Sequence, residues 1–121
     1  MADELTEKII GAAIEVHRIL GPGLLETIYE EALCHELSLR GLPARHQVDI
    51  VVRYKNKNIG GQRLDLVVAD EVVVELKSQR SLPEVAAAQV LSYLKASGMK
   101  RGLLFNSGEQ KLADGVKRFS L

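Results

Sequence analysis

Gly61-Gln62-Arg63-Leu64-Asp65-Leu66-Val67-Val68, followed after a short gap by Val72-Val73-Val74-Glu75-Leu76-Lys77, decides how this chain is read. Both runs are β-branched and apolar enough to be core strands, and the gap is short enough to make them a hairpin. Asp65, Glu75 and Lys77 interrupt the apolar pattern. Ionised side chains are rarely buried unless paired or bound to a metal, so three of them in one core hairpin require a physical cause.

The apolar residues set the register. Leu64, Leu66 and Val68 alternate on one strand, and Val72, Val74 and Leu76 on the other. Placing both sets on one face pairs Leu64 with Leu76, Leu66 with Val74 and Val68 with Val72, leaving a loop at Ala69-Asp70-Glu71. In this register Asp65 faces Glu75, with Cβ atoms about 4.5–5.5 Å apart, and like charges so opposed destabilise a sheet. Lys77, two residues from Glu75, shares their face. Two carboxylates and an ammonium then converge at a spacing one divalent cation can bridge, and oxygen-only ligands suit magnesium or manganese. The competing structural reading is an ion-paired cluster in which Lys77 neutralises one carboxylate and Arg63 or solvent serves the other.

Outward from the hairpin, helical periodicity predicts a helix over about 4–20, carried by Leu5, Ile9, Ala12, Ala13, Val16 and Ile19 and capped by Asp3. Gly21-Pro22-Gly23 stops it. A second helix is expected over about 24–40, with Glu26 in its first turn and Gly41 and Pro43 beyond its end. Alternation of Val48, Ile50, Val52 and Tyr54 marks a strand, Lys55-Asn56-Lys57-Asn58 a polar turn, and Gly60-Gly61 a bulge or a close backbone approach early in the next strand, 59–68. Ser81-Leu82-Pro83-Glu84 reads as a capping box opening a helix over about 83–97. Leu103-Leu104-Phe105 forms a fourth strand, and 115–119 a fifth strand or a helical turn. One α+β domain over residues 1–121 follows, with a mixed sheet of four to five strands flanked by helices.

Composition narrows the function. The 121 residues carry no net charge, yet residues 1–43 hold a net of −5 and residues 44–121 a net of +5, which makes the second part the better surface for phosphates. No apolar run has the roughly 20 residues of a membrane span. The amino terminus lacks the look of a signal peptide, and the lone Cys34 suits a reducing, cytoplasmic setting. His17, His35 and His46 have no second ligand at zinc spacing, and no glycine-rich nucleotide loop is present. Aromatic content of 4% disfavours a base-stacking platform for single strands.

Asp65 with Glu75-Leu76-Lys77 resembles the core of the PD-(D/E)XK nuclease superfamily, and Gln89-Val90-Leu91-Ser92-Tyr93 looks like the Gln-x-x-x-Tyr element of its exonuclease branch. Gly23-Leu24-Leu25-Glu26-Thr27-Ile28-Tyr29 matches the motif that names the GxxExxY family, and Val16–Gly23 and Tyr93-Leu94-Lys95 are similar to it too. The resemblance spans about residues 8–119 and implies a restriction-endonuclease-like core. It implies magnesium or manganese held by Asp65, Glu75 and the Leu76 carbonyl, with Lys77 beside them to orient the attacking water or stabilise charge developing on phosphate. It further implies Glu26 as a catalytic acid holding a metal-bound water or a second ion, Gln89 and Tyr93 as substrate-positioning groups acting on the metal site or a phosphate, and DNA or RNA as partner; so small a domain often needs a partner to grip its substrate, which suggests a homodimer. Ala86 stands where the family often has His, and Asn106-Ser107-Gly108 where it often has Asn-Phe-Gly. Tyr29 and Tyr93 also read as core residues with a partnered hydroxyl. A non-catalytic nucleic-acid- or protein-binding module and a purely structural or oligomerising domain are the rival functions.

Overall fold

A computed structural model describes residues 3–121. In chain order the elements are α1 (Glu4–Leu20), α2 (Glu26–Leu39), β1 (Ala44–Tyr54), β2 (Lys57–Val68), β3 (Val72–Lys77), α3 (Val85–Ser97), β4 (Arg101–Asn106), a 3₁₀ turn (Leu112–Gly115) and β5 (Val116–Ser120). The strands form one sheet in the order β1-β2-β3-β4-β5. Only β3 and β4 run parallel, and α3 is the crossover that such a pair needs. Of the two alternatives for residues 115–119 the strand is the one that forms, as β5, and a 3₁₀ turn at Leu112–Gly115 precedes it.

Helices cover both faces. Ile9, Val16, Leu33 and Leu37 of α1 and α2 bury against Leu66, Val68, Val72, Val74, Leu76, Leu103 and Phe105. On the other face Leu94 of α3 packs with Val67 and Val73. β3 is buried along Val72–Leu76 because it is central and covered on both sides, which is why its sequence reads as a continuous apolar run.

Local chemistry accounts for most boundaries. Asp3 caps α1, its carboxylate accepting from the Leu5 N–H at 3.1 Å. Lys55 and Asn56 both have positive φ, 45° and 68°, and Tyr54 pairs with Lys57, so the β1–β2 turn has two residues rather than the four expected. The β2–β3 loop is Ala69-Asp70-Glu71, as the apolar register requires, with Val68 opposite Val72. Between Ile50 and Val52 the β1–β2 register shifts at Gly60-Gly61, where Gly61 has φ 107°, so the bulge lies where the glycines place it.

Three further expectations are corrected. Helix α2 starts at Glu26, not 24, and ends at Leu39, because Leu24 and Leu25 belong to the turn after Gly23. Helix α3 starts at Val85, and Ser81 caps nothing; the N-cap position is Glu84, without a side-chain hydrogen bond. The segment before α3 is instead strapped to the end of β4. Asn106, 1% exposed, accepts from the Gln79 N–H and donates to the Gln79 carbonyl, each at 3.0 Å.

The third correction concerns the hairpin. Its ladder holds Leu66–Val74, Val67–Val73 and Val68–Val72, then ends before Leu64 and Leu76. Leu64 packs with Ile50, Val67 and Leu94 on the α3 side, whereas Leu66 and Val68 lie on the α1–α2 side. The alternation changes phase at Asp65. The β1–β2 ladder also passes over Gln47 and Asp65, and Gln47 has φ 51°. A left-handed residue opposite Asp65 is the local break that lets β1 and β2 turn their apolar side toward α3 beyond this point.

Candidate active site

The break in the ladder is where the charged residues of the hairpin meet. The Asp65 N–H donates to Glu75 Oε1 at 3.1 Å, and the Leu76 N–H donates to Asp65 Oδ2 at 2.8 Å. Each carboxyl thus reaches across and takes a backbone donor from the other strand, in place of a ladder carbonyl. One oxygen of each is committed in this way. A side-chain hydrogen bond also links the two carboxyls to each other.

Glu75 is only 5% exposed. Burial first, and then the neighbouring Asp65 carboxylate, push its pKa up from 4.5 to about 8. The Asp65 N–H and Lys77 both oppose this, with Lys77 the weakest influence. Lys77 is half-buried and forms no ion pair among the described residues, and Arg63 is engaged with Asp49 at 3.0 Å. Neither cation neutralises the acidic pair, so the ion-paired cluster is not what the hairpin contains.

Tyr93 comes to the same place from α3. Its hydroxyl is pushed up by burial, then by Glu75 and Asp65. It also packs at the margin of the Leu64–Leu94 cluster, so it is both a core side chain and a neighbour of the acids. Gln89, one turn earlier on α3, is half-buried and makes no hydrogen bond among the described residues. Ala86, on the same helix, is buried in the small cluster with Val90 and Leu104.

Glu26 is brought in by the turn between α1 and α2. Gly23 has φ 103°, a conformation that favours glycine. The Tyr29 hydroxyl donates to the Gly21 carbonyl and accepts from the Leu24 N–H at 3.2 Å, which locks the turn. The Leu24 carbonyl accepts from the Ser78 hydroxyl at 3.0 Å, and Glu26 Oε1 from the Ser78 N–H at 3.2 Å. The spacing Gly23-x-x-Glu26-x-x-Tyr29 therefore has a mechanical reading: a turn, a carboxylate fixed at the exit of β3, and a latch. A groove of about 720 Å³ opens here, lined by Gly23, Leu24, Glu26, Ser78, Arg80 and Gly108 among others. It begins one residue beyond Lys77.

Sequence reasoning passed over Glu30. It lies one turn after Glu26, is 7% exposed, and accepts from the Gln47 amide at 2.9 and 3.1 Å, with His46 Nδ1 at 3.8 Å. It holds Gln47, the left-handed residue opposite Asp65. The available signal was a second acid at i+4 from Glu26, among apolar positions. His17 is also structural, its Nε2 lying 3.2 Å from the Ser107 carbonyl. Burial, then Glu30 and Glu31, push the Cys34 thiol up, which makes it a poor nucleophile.

Among the described residues no group of three or more His, Cys, Asp and Glu side chains converges as a metal cage. Magnesium does not need one, since it is commonly held by one or two carboxylates with water and substrate phosphate completing the shell. The buried Glu75 and the half-buried Asp65 bring carboxyl oxygens together from two strands, a donor set that fits it.

The chain matches the family model described as the PD-(D/E)XK nuclease superfamily over residues 3–119. It belongs to that superfamily, and its α+β architecture with a five-stranded mixed sheet is that of a restriction-endonuclease-like domain. No curated protein matches it, and no solved structure does. Among the described residues no helix is long and apolar enough to cross a membrane.

Proposed function

We propose that this protein is a nuclease of the GxxExxY group that hydrolyses phosphodiester bonds with magnesium or manganese bound at Asp65, Glu75 and the Leu76 carbonyl. The superfamily supports a nuclease-type function, and its members generally use divalent metals. The observation that carries the reading is the crossed carboxyl pair: two acids held together in a buried hairpin, with a lysine beside them that pairs with neither. Opposed buried acids cost stability, and a divalent cation is the partner that would remove the cost.

When bound, the metal supplies Lewis-acid polarisation of a phosphoryl oxygen and lowers the pKa of water. The chain's own groups do the rest. Asp65 and Glu75 orient the site through their backbone bonds. Lys77 stabilises negative charge developing on phosphate or orients the attacking water. Glu26, fixed on Ser78, sets the acidic wall at the groove entrance. Gln89 and Tyr93 position substrate from α3.

The test is metal-dependent cleavage of labelled DNA and RNA by wild type, Glu75→Ala and Lys77→Met. Wild type should cleave and neither variant should. Because Lys77 has no ion-pair partner, Lys77→Met should change stability by less than about 0.5 kcal/mol. Cleavage that survives both substitutions refutes the mechanism. A large loss of stability in Lys77→Met would restore the structural reading of the cluster.

A further inference from the structure

Beyond Ile50 and Leu64, which still pack against α3, β1 and β2 leave the body of the domain as a two-stranded ribbon. Every residue from 51 to 63 is exposed, on both strands and both faces. That stretch, Val51-Val52-Arg53-Tyr54-Lys55-Asn56-Lys57-Asn58-Ile59-Gly60-Gly61-Gln62-Arg63, contains four basic residues and no acidic one. Asp49 neutralises Arg63 at 3.0 Å. Arg53, Lys55 and Lys57 have no acidic partner among the described residues: Arg53 donates to the Asn56 side chain at 3.1 Å, and Lys55 lies 5.4 Å from the centre of the Tyr54 ring. An exposed hairpin normally disperses such charge with acids on the facing strand, and this one does not.

We propose that the ribbon 51–63 is a binding arm that lies in the major groove of duplex DNA. Two strands about 4.8 Å apart, with their side chains, suit a groove about 12 Å wide that admits a two-stranded β-ribbon. The deep, narrow major groove of A-form RNA does not admit one. Arg53 and Asn58 are cross-strand partners and share one face, and both side-chain types bond base edges. Lys55 and Lys57 flank the tip, where they meet phosphates. Val52, Tyr54 and Ile59 lie exposed on the opposite face, together with Lys57, the cross-strand partner of Tyr54. The arm is continuous with the site: from Asp65 to Asn56 is nine residues, about 30 Å at about 3.3 Å per residue. That is close to one turn of B-DNA, about 34 Å. The arm thus fixes duplex about a turn from the bond that Asp65 and Glu75 address. This inference rests on the nucleic-acid part of the reading above and not on cleavage.

Fluorescence anisotropy of the full chain with a labelled duplex DNA, with metal chelated, tests it. The perturbation is the triple variant Arg53→Gln, Lys55→Gln, Lys57→Gln, whose sites lie outside the core, with circular dichroism to show that it folds. Three phosphate contacts contribute a slope of about −2.7 in log K against log salt, a factor of about 40 between about 50 and 200 mM. The triple variant should lose that factor and bind duplex RNA and DNA equally weakly. Wild-type binding with no cleavage of any substrate would refute the nuclease reading while leaving the arm standing. Equal affinity and salt slope in wild type and variant overturns the proposal, as does wild-type preference for duplex RNA. Dimerisation that the triple variant abolishes, with no DNA binding, overturns it too.

Discussion

Removing the ionisable proton of Glu75 should change how stability depends on pH. Glu75 sits almost fully out of solvent beside Asp65, and its pKa is pushed up from 4.5 to about 8. A raised carboxyl pKa means that the folded protein holds a proton which the unfolded chain releases. Its contribution is therefore complete below about pH 4.5 and is lost as pH rises through about 8. Tenfold in a proton-binding constant is worth about 1.36 kcal/mol, so the upper bound across this window is on the order of 5 kcal/mol. Relaxation and water entry around a buried acid reduce such figures, and an effect of about 2–3 kcal/mol is expected. In Glu75→Gln the amide keeps an oxygen to accept from the Asp65 N–H but has no proton to lose. Urea unfolding of both proteins at intervals from about pH 5 to pH 9, with metal chelated, isolates the effect of Glu75 and its immediate neighbours, because groups away from it titrate alike in the two proteins. Wild type should lose about 2–3 kcal/mol relative to the variant as pH rises, about 10 °C in Tm for a domain of this size. A stability difference between the two that is constant over this range would refute the reasoning.

Two further substitutions probe the frame that delivers Glu26 and the loop after β3. Tyr29→Phe removes the hydroxyl that bonds the Gly21 carbonyl and the Leu24 N–H, and should cost about 1–2 kcal/mol and speed amide hydrogen exchange at Leu24 and Ser78. Unchanged exchange at both would show that the latch is not needed. Gly108→Ala would drive a Cβ into the Gln79 carbonyl oxygen, a backbone atom that the Asn106 amide holds, so at least about 2 kcal/mol of destabilisation is expected by urea unfolding. A neutral result would show that the Gln79 segment moves freely.

Legibility followed the range of the interactions. The β2–β3 loop could be read because Leu66, Val68, Val72 and Val74 form apolar sets that only one register aligns. The Gly60-Gly61 bulge and the Asp3 cap are local chemistry, and both are where the residues put them. Asp65 and Glu75 were legible as cross-strand neighbours, although the means by which they meet was not. Leu64 looks like its neighbours Leu66 and Val68, and nothing in that alternation shows that the ladder stops at Asp65. The change of phase depends on Gln47, held by Glu30 from another element. Ser81 failed for the same reason. Its local capping signature yields to a distant clamp, Asn106 on Gln79, that fixes the chain before α3 can begin. Tyr29 could be read as a core residue with a bonded hydroxyl, but that its bonds shape the turn before Glu26 needed the fold.

The crossed carboxyl pair, on this reading, exists to hold a divalent cation. Calorimetric titration with manganese at about pH 8.5, where Glu75 is ionised, compares wild type with Asp65→Ala and requires no substrate. Saturable binding to wild type and its loss in Asp65→Ala are the expected result. Absence of binding to wild type, or equal binding to both proteins, would contradict it.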